Sequence, residues 1–286
     1  MPRAVDPSLN RRRLRIELRK AREKAGLTQR EASDALEWSL SKIIRIEAGT
    51  VSVSVTDLRA LLQHYRVDSP ELVAELEEAA RGSKGQSWWT DFSDVLNPTF
   101  TQYLGYESAA NSIRTYHPIV MPGYLQTEDY AEALLAPRVP EERARRVVEL
   151  RTARQERLFE GDDTPETFLI VDEAALRRRI GTPAVMRHQL QHLKEMMELP
   201  RVTVQILPFS AGAHYSTLGS FVLLGFKDDD DLLWVEHAAG SLAIRDDHAL
   251  LARYQECFGT INDLALSDDD AIRFIDRVAA EDFATS

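Results

Sequence analysis

The apolar positions of the first eighty residues fall on helical spacings. Leu14, Leu18, Ala21 and Ala25 recur every three or four residues, and Gly26 stands where such a helix stops. Thr28, with Glu31 three residues on, forms a T-x-x-E capping box. Leu27 sits just before that cap, and Ala32, Ala35 and Leu36 give the second helix an apolar face. Ser39 or Ser41 can cap a third helix whose inward residues are Leu40, Ile43 and Ile46 and which ends at Gly49. After the extended stretch "TVSVSV", Ser54 or Thr56 opens a fourth, with Leu58, Leu61, Leu62 and Tyr65 along one side. Ser69-Pro70 is a cap followed by proline at the first helical position, so a fifth helix is predicted to about Ala80.

Beyond this the pattern changes. "RGSKGQS" (81–87) has the composition of a linker. "WWTDF" and "YLGYESAANSI" are aromatic and predicted helical. "MPGYLQT" holds a Pro-Gly turn, Thr127 caps a helix from Glu128, and residues 141–160 alternate charges at helical spacing. "TFLIVD" (167–172), "RVTVQILP" (201–208), "GSFVLLGF" (219–226) and "LLWVEHA" (232–238) read as strands. Helices are predicted from Thr182-Pro183 to about Leu199, near 246–264, and at 268–281 with Ser267 and Asp270 at its start. The expected fold is a mainly α N-terminal domain of five helices (1–80), a linker (81–87) and an α+β C-terminal domain (88–286) with a small sheet.

A chain of 286 residues accommodates two domains, and 44% hydrophobic residues suffice for packed cores. No apolar run reaches membrane-spanning length, and "MPRAVDPSLNRRRLR" lacks the apolar segment of a secretory signal. The single cysteine, Cys257, excludes an intrachain disulfide and a Cys-rich zinc site. A soluble cytoplasmic protein is expected. Charge alters the picture more. The net is −11, yet residues 1–70 carry 14 Lys and Arg against 9 Asp and Glu, whereas the remainder carries 21 against 37. A phosphate backbone therefore suits the first domain and not the second.

The second and third predicted helices meet the requirements of a DNA reader. A helix-turn-helix sets the N-terminus of its first helix near phosphate, where Thr28, Gln29 and Arg30 supply donors. Its second helix needs inward apolar residues alternating with outward polar ones. Leu40, Ile43 and Ile46 alternate with Ser41, Lys42 and Arg45, and Arg and Lys can donate to guanine edges. Residues 14–66 resemble the XRE, or Cro-type, helix-turn-helix regulators in the "L-T-Q" start, the "I-x-x-I-E-x-G" end and the leucine-rich fourth helix. The resemblance implies that Gln29 contacts phosphate, that Ser39, Ser41, Lys42 and Arg45 face DNA, and that Glu47 is structural, paired with Arg22 or Lys24. Three positions depart from the family. Glu37 replaces the usual turn glycine, Trp38 a small aliphatic residue, and Ile44, which either touches a thymine methyl or lies half-buried, a polar one.

Residues 88–280 resemble the C-terminal domain of actinobacterial regulators related to WhiJ, in "MPGYLQTEDYAEALL", "RTARQERL", "VMRHQLQHL" and "VQILPFSAGAH…GSFVLLGF". That resemblance implies an antitoxin-like regulator with a small protein partner encoded nearby. It implies no chemistry.

Other constellations are weaker. His188, His192 and Glu195 can share a helix face, but no fourth ligand is evident, so a solvated stripe is expected and no metal or cofactor. Asp228 to Asp231 lack the spacing and glycine of a calcium loop and read as a solvated hairpin. Cys257 reads as a buried small hydrophobe. No nucleophile elbow, P-loop or dinucleotide fingerprint occurs, so an enzyme is not expected. Trp88, Trp89, Phe92, Tyr103, Tyr106 and Tyr124 read as core packing. The sharper alternative makes Trp88, Trp89, Tyr103, Tyr106 and Tyr124 the wall of a ligand or partner site. The expected function is a sequence-specific DNA-binding regulator acting on double-stranded DNA as a homodimer, modulated through its C-terminal domain by a protein partner or ligand. The alternatives are an antitoxin-like protein that neutralises a small partner and autoregulates, and a ligand-sensing repressor with an aromatic pocket.

Overall fold

The computed structural model describes residues 7–47, 51–161, 164–214, 219–227, 230–237 and 240–284. Gly49, the expected end of the third helix, and Asp228 and Asp229 of the acidic run lie outside the described residues. The chain divides into two compact units, Met1–Asp91 and Phe92–Ser286.

The first unit is five helices: α1 (Pro7–Lys24), α2 (Gln29–Ala35), α3 (Leu40–Glu47), α4 (Val55–His64) and α5 (Pro70–Gly82). Gly26 takes a φ of +72° as α1 ends, and the Leu27 N–H reaches back to Arg22 O (3.2 Å). Both halves of the capping box at Thr28 and Glu31 form, Ser54 caps α4, and Ser69-Pro70 opens α5 as expected. The core gathers Leu14, Leu18, Ala32, Ile43, Ile46, Leu58, Leu61, Leu62, Tyr65 and Leu76. In α2 the inward positions are Ala32 and Ser33, and Ala35 is exposed. Ser33 enters the core because its hydroxyl is satisfied by Arg30 O (2.8 Å).

The boundary lies beyond the linker expected at 81–87, because that segment is packed. The α5 helix continues to Gly82, Ser83 and Ser87 are buried, and Arg11 of α1 donates to Ser83 O and Ser87 Oγ (both 2.9 Å). A short 3-10 turn at Trp88–Phe92 follows instead of a helix.

The second unit is built on a mixed six-stranded sheet. In chain order it contains α6 (Pro98–Glu107), β1 (Ser112–His117), α7 (Glu128–Leu135), α8 (Glu141–Phe159), β2 (Glu166–Asp172), α9 (Glu173–Arg177), α10 (Pro183–Met197) and β3 (Val202–Leu207). It continues with β4 (Phe221–Gly225), β5 (Leu232–His237), β6 (Gly240–Ile244), α11 (His248–Leu264) and α12 (Asp268–Asp282). The strand order is β3-β2-β1-β4-β5-β6. The pairs β3–β2 and β2–β1 are parallel and the remaining pairs antiparallel. Successive residues alternate between two cores. Leu169, Val171, Val204, Ile206, Val222, Leu224 and Trp234 pack with α7, α10 and α12 residues. Ile170, Leu207, Phe221, Leu223 and Leu233 pack with Leu251, Phe258 and Ile261 of α11. A sheet covered on both faces accounts for continuous runs such as "TFLIVD" and "FVLLGF".

Two strands and a short helix were not foreseen. The β1 strand starts on the last two residues of the stretch read as helical through Ile113, and its Arg114, Thr115 and His117 disguise a central strand. Thr115 is tolerated there because its hydroxyl donates to Phe221 O (2.9 Å). The β6 strand is an edge strand with largely exposed residues, so little apolar signal marks it. The α9 helix spans five residues, too short for a periodic pattern.

Candidate nucleic-acid interface

The candidate contact residues of the first unit are placed by a buried ion pair. Arg22, near the end of α1, donates Nε to Glu47 Oε1 (2.7 Å) and Nη2 to Glu47 Oε2 (3.0 Å), and its Nη1 to Leu27 O (2.7 Å). Both side chains are buried. Hydrogen bonding to Glu47 raises the Arg22 pKa against the opposing effect of burial. Gln29, the first residue of α2, donates to the same Glu47 Oε2 (2.9 Å). One carboxylate thus ties together the end of α1, the start of α2 and the end of α3. Arg22 rather than Lys24 fills the expected role, because a guanidinium can meet both carboxylate oxygens at once. Nearby burial, reinforced by Glu47, pushes the Tyr65 phenol up to about 12.

The turn from α2 to α3 is closed by backbone bonds from Glu37 N to Asp34 O (3.2 Å) and from Trp38 N to Ser33 O (2.9 Å). Glu37 stands there at φ +55°, the left-handed region that glycine adopts at least cost. The residue that departs from the family pattern therefore keeps the glycine-like geometry. Trp38 packs against the core and carries Lys42 Nζ 3.5 Å from a ring centroid.

The expected contact residues separate into three groups. Ser39 sits at the N-terminus of α3, with its hydroxyl 3.3 Å from Lys42 N, and Ser41 and Arg45 are exposed along that helix. Arg45 Nε donates to Ser41 O (3.3 Å). Lys42 is drawn aside, its Nζ donating to Asp57 Oδ1 on α4 (2.9 Å). At the start of α2, Thr28 Oγ1 donates to Glu31 Oε2 (2.8 Å), Gln29 is held by Glu47, and Arg30 is exposed. Two apolar residues complete the outer face of α3. Leu40, expected inside, is 36% exposed, and Ile44 is 44% exposed. They stand one turn apart and form a ridge alongside the stripe of Ser41 and Arg45. Leu40 precedes Ile43 by three residues, which made it look inward-facing, but it lies in the first turn, beyond the core's reach.

The aromatic residues nominated for a ligand wall do not share one place. Trp88 and Trp89 stack edge-on within the first unit (centroids 5.6 Å apart, 82°). In the second unit, Tyr103 and Tyr124 are brought together around Arg154, whose guanidinium carbon lies 5.4 and 4.7 Å from their ring centroids. Tyr106 stands apart from them, its ring 5.8 Å from Arg245. The loop bearing Tyr124 is pinned from both sides. Gln155 of α8 donates to Gln126 O (2.8 Å), and Gln189 of α10 donates to Leu125 O (2.6 Å). This gives "MPGYLQT" a structural purpose.

His188 binds Asp129 (3.1 Å), and His192 is half-buried, with burial lowering its pKa. No metal-binding group of three or more such residues occurs among the described residues. Asp231 is no solvated loop residue. Its carboxylate accepts from Gln255 (2.9 Å) and lies 3.5 Å from Arg114. Cys257 is buried beside Phe258. No helix among the described residues is long and apolar enough to cross a membrane.

Residues 13–76 match a family described as a helix-turn-helix domain. Residues 100–277, more than half of the chain, match a family described as a domain of unknown function, DUF5753. Neither a curated protein nor a solved structure matches the chain.

Proposed function

Since the chain belongs to the DUF5753 family and carries a helix-turn-helix domain at its N-terminus, we propose that it is a sequence-specific transcriptional regulator that binds a two-half-site operator as a homodimer and takes its regulatory signal through the second unit. The observation that carries the reading is the outer face of α3, where Ser39, Ser41, Arg45, Leu40 and Ile44 are exposed on a helix anchored by Glu47. Arg45 reads a guanine edge, the serines pair with bases or phosphate, and the apolar ridge meets thymine methyls. Gln29 and Arg30 lie against phosphate at the start of α2. Dimerisation follows from scale. One such module buries too little surface for tight binding at physiological salt, and two modules require half-sites about one helical turn apart or a multiple of it.

Mapping bound sites across the genome, then titrating a recovered site and a scrambled duplex, tests the reading. Arg45→Ala is expected to cost about 1–3 kcal/mol on the operator and to relax preference at one position. Gln29→Ala is expected to weaken both duplexes alike. Operator binding by Arg45→Ala equal to wild type would refute this assignment of the face.

A further inference from the structure

Within the second unit, a cavity of about 240 Å³ is lined by Phe100, Tyr103, Tyr124 and Trp234 together with Arg151 and Arg154 of α8. The rings are already arranged for a planar guest. Phe100 stacks on Tyr103 (centroids 5.6 Å, 16°), and Tyr103 leans on Trp234 (4.6 Å, 41°).

The two arginines differ. Arg154 is buried and binds Glu107 through both oxygens, with Nε to Oε2 at 2.7 Å. Burial opposes its charge, but Glu107 outweighs burial and raises its pKa. Its charge is balanced, and the rings pack around it. Arg151, one turn earlier, donates instead to the neutral Gln126 Oε1. Burial, then the like charge of Arg154, lowers Arg151 to about 10, with Glu236 acting in the opposite sense. Arg151 therefore remains charged at neutral pH. Glu236 is exposed and accepts from Trp234 Nε1 (3.2 Å), so water screens it.

Two further polar atoms of cavity residues are shielded and lack partners among the described residues: Tyr124 Oη and His117 Nε2. Tyr124 is only 3% exposed. Thr115, close by, gives its own proton to Phe221 O (2.9 Å), so it has none to give Tyr124 Oη and can only accept from it. His117 is held down to about 3 by burial, so its ring is neutral and offers one donor and one acceptor nitrogen. Shielded polar atoms are normally satisfied by protein or water, and a pair left open beside the half-buried cation of Arg151 marks a place for a guest.

We propose that this cavity binds a small aromatic acid, its ring among Phe100, Tyr103, Tyr124 and Trp234, its carboxylate on Arg151, and a second polar group on Tyr124 Oη or His117 Nε2. Size bounds the guest. A dry cavity of about 150 Å³ admits benzene, so this one suits a ring system with a polar arm, on the order of a dozen non-hydrogen atoms. Charge narrows it further. A neutral ring leaves Arg151 without an anion, a cation meets two arginines, and a dianion meets Glu236. The inference goes beyond the DNA-binding reading and stands without it.

Calorimetric titration of the full chain with benzoate, salicylate and indole-3-carboxylate tests it, with indole-3-carboxamide as the uncharged isostere. Saturable binding of at least one acid is expected, with the carboxamide weaker than its carboxylate by about tenfold or more. Arg151→Met is expected to lose about tenfold to a hundredfold in acid affinity, Arg151→Lys to retain a preference for the acid, and Tyr124→Phe to weaken salicylate severalfold. Should Arg151→Met fail to fold, Arg151→Lys and Tyr124→Phe decide. Equal binding of acid and amide would overturn the proposal. So would wild-type affinity in both Arg151→Met and Tyr124→Phe, or no saturable heat from any of the three acids up to about 10 mM. Operator titration of the same wild-type samples reads the DNA function separately.

Discussion

Removing Arg22 from beneath α2 and α3 gives the most demanding test of how the first unit holds its candidate site. Arg22→Met keeps most of the side-chain volume but deletes the bonds to both Glu47 oxygens and to Leu27 O. The Glu47 side chain is 4% exposed, so water cannot replace them. Gln29 Nε2 is then the neutral donor left from this network, and a carboxylate stripped of its buried cation costs about 3–5 kcal/mol. A small domain has only about 5–15 kcal/mol to lose, so α1–α3 should open far more readily. The double variant Arg22→Met/Glu47→Met removes both charges and should recover most of the loss, because replacing a buried pair by apolar side chains is often neutral. Urea titration read by pulsed hydrogen exchange resolves this. Peptides from α1–α3 report the first unit, and peptides from β1–β5 serve as an internal reference. If Arg22→Met stays within about 1 kcal/mol of wild type, or if the double variant is as unstable as the single, the buried pair does not anchor α3 as reasoned.

Three further outcomes are expected. Ile44→Ser should lower operator affinity by about 1–2 kcal/mol. Replacing the contacted thymine by deoxyuridine should cost wild type a similar amount and the variant little, and a methyl-independent loss would place Ile44 elsewhere. His117 stays neutral in the folded second unit down to about 3, whereas the unfolded chain takes up its proton near the ordinary 6.5, so stability is lost as pH falls from 6.5 toward 3. Between about pH 7.5 and 5, wild type should lose roughly 2 kcal/mol more than His117→Phe, as read by urea midpoints, and identical losses would contradict the burial argument. Light scattering of the full chain should give twice the 32.4 kDa mass at operator-saturating concentrations, and a strict monomer there would rule out the homodimer.

The sequence determined the local devices of the first unit, because each is written within four or five residues. The Thr28–Glu31 box, the cap at Ser69 and the leucines of α4 depend on spacing alone, and all form; of the two caps that spacing allowed for α4, Ser54 is the one used. It also signalled the strands that are unbroken apolar runs. Tertiary structure decided what depends on partners distant in the chain. Leu40 and Ile43 share a period, but only the packing of α3 against α1 and α2 leaves one exposed and buries the other. Lys42 is an outward cation by spacing, yet Asp57, fifteen residues on, draws it aside. Arg114, Thr115 and His117 look unsuited to a central strand until β2 and β4 flank them and Phe221 O accepts the threonine proton. The cavity was the least legible feature. Its rings come from α6, the loop before α7 and β5, and its unbalanced cation is evident only once Glu107 is seen to neutralise Arg154 and not Arg151. Periodicity reports which face of an element is apolar. Which polar groups are buried, and which of those stay unpaired, is set by long-range packing, and the candidate binding chemistry of the second unit resides there.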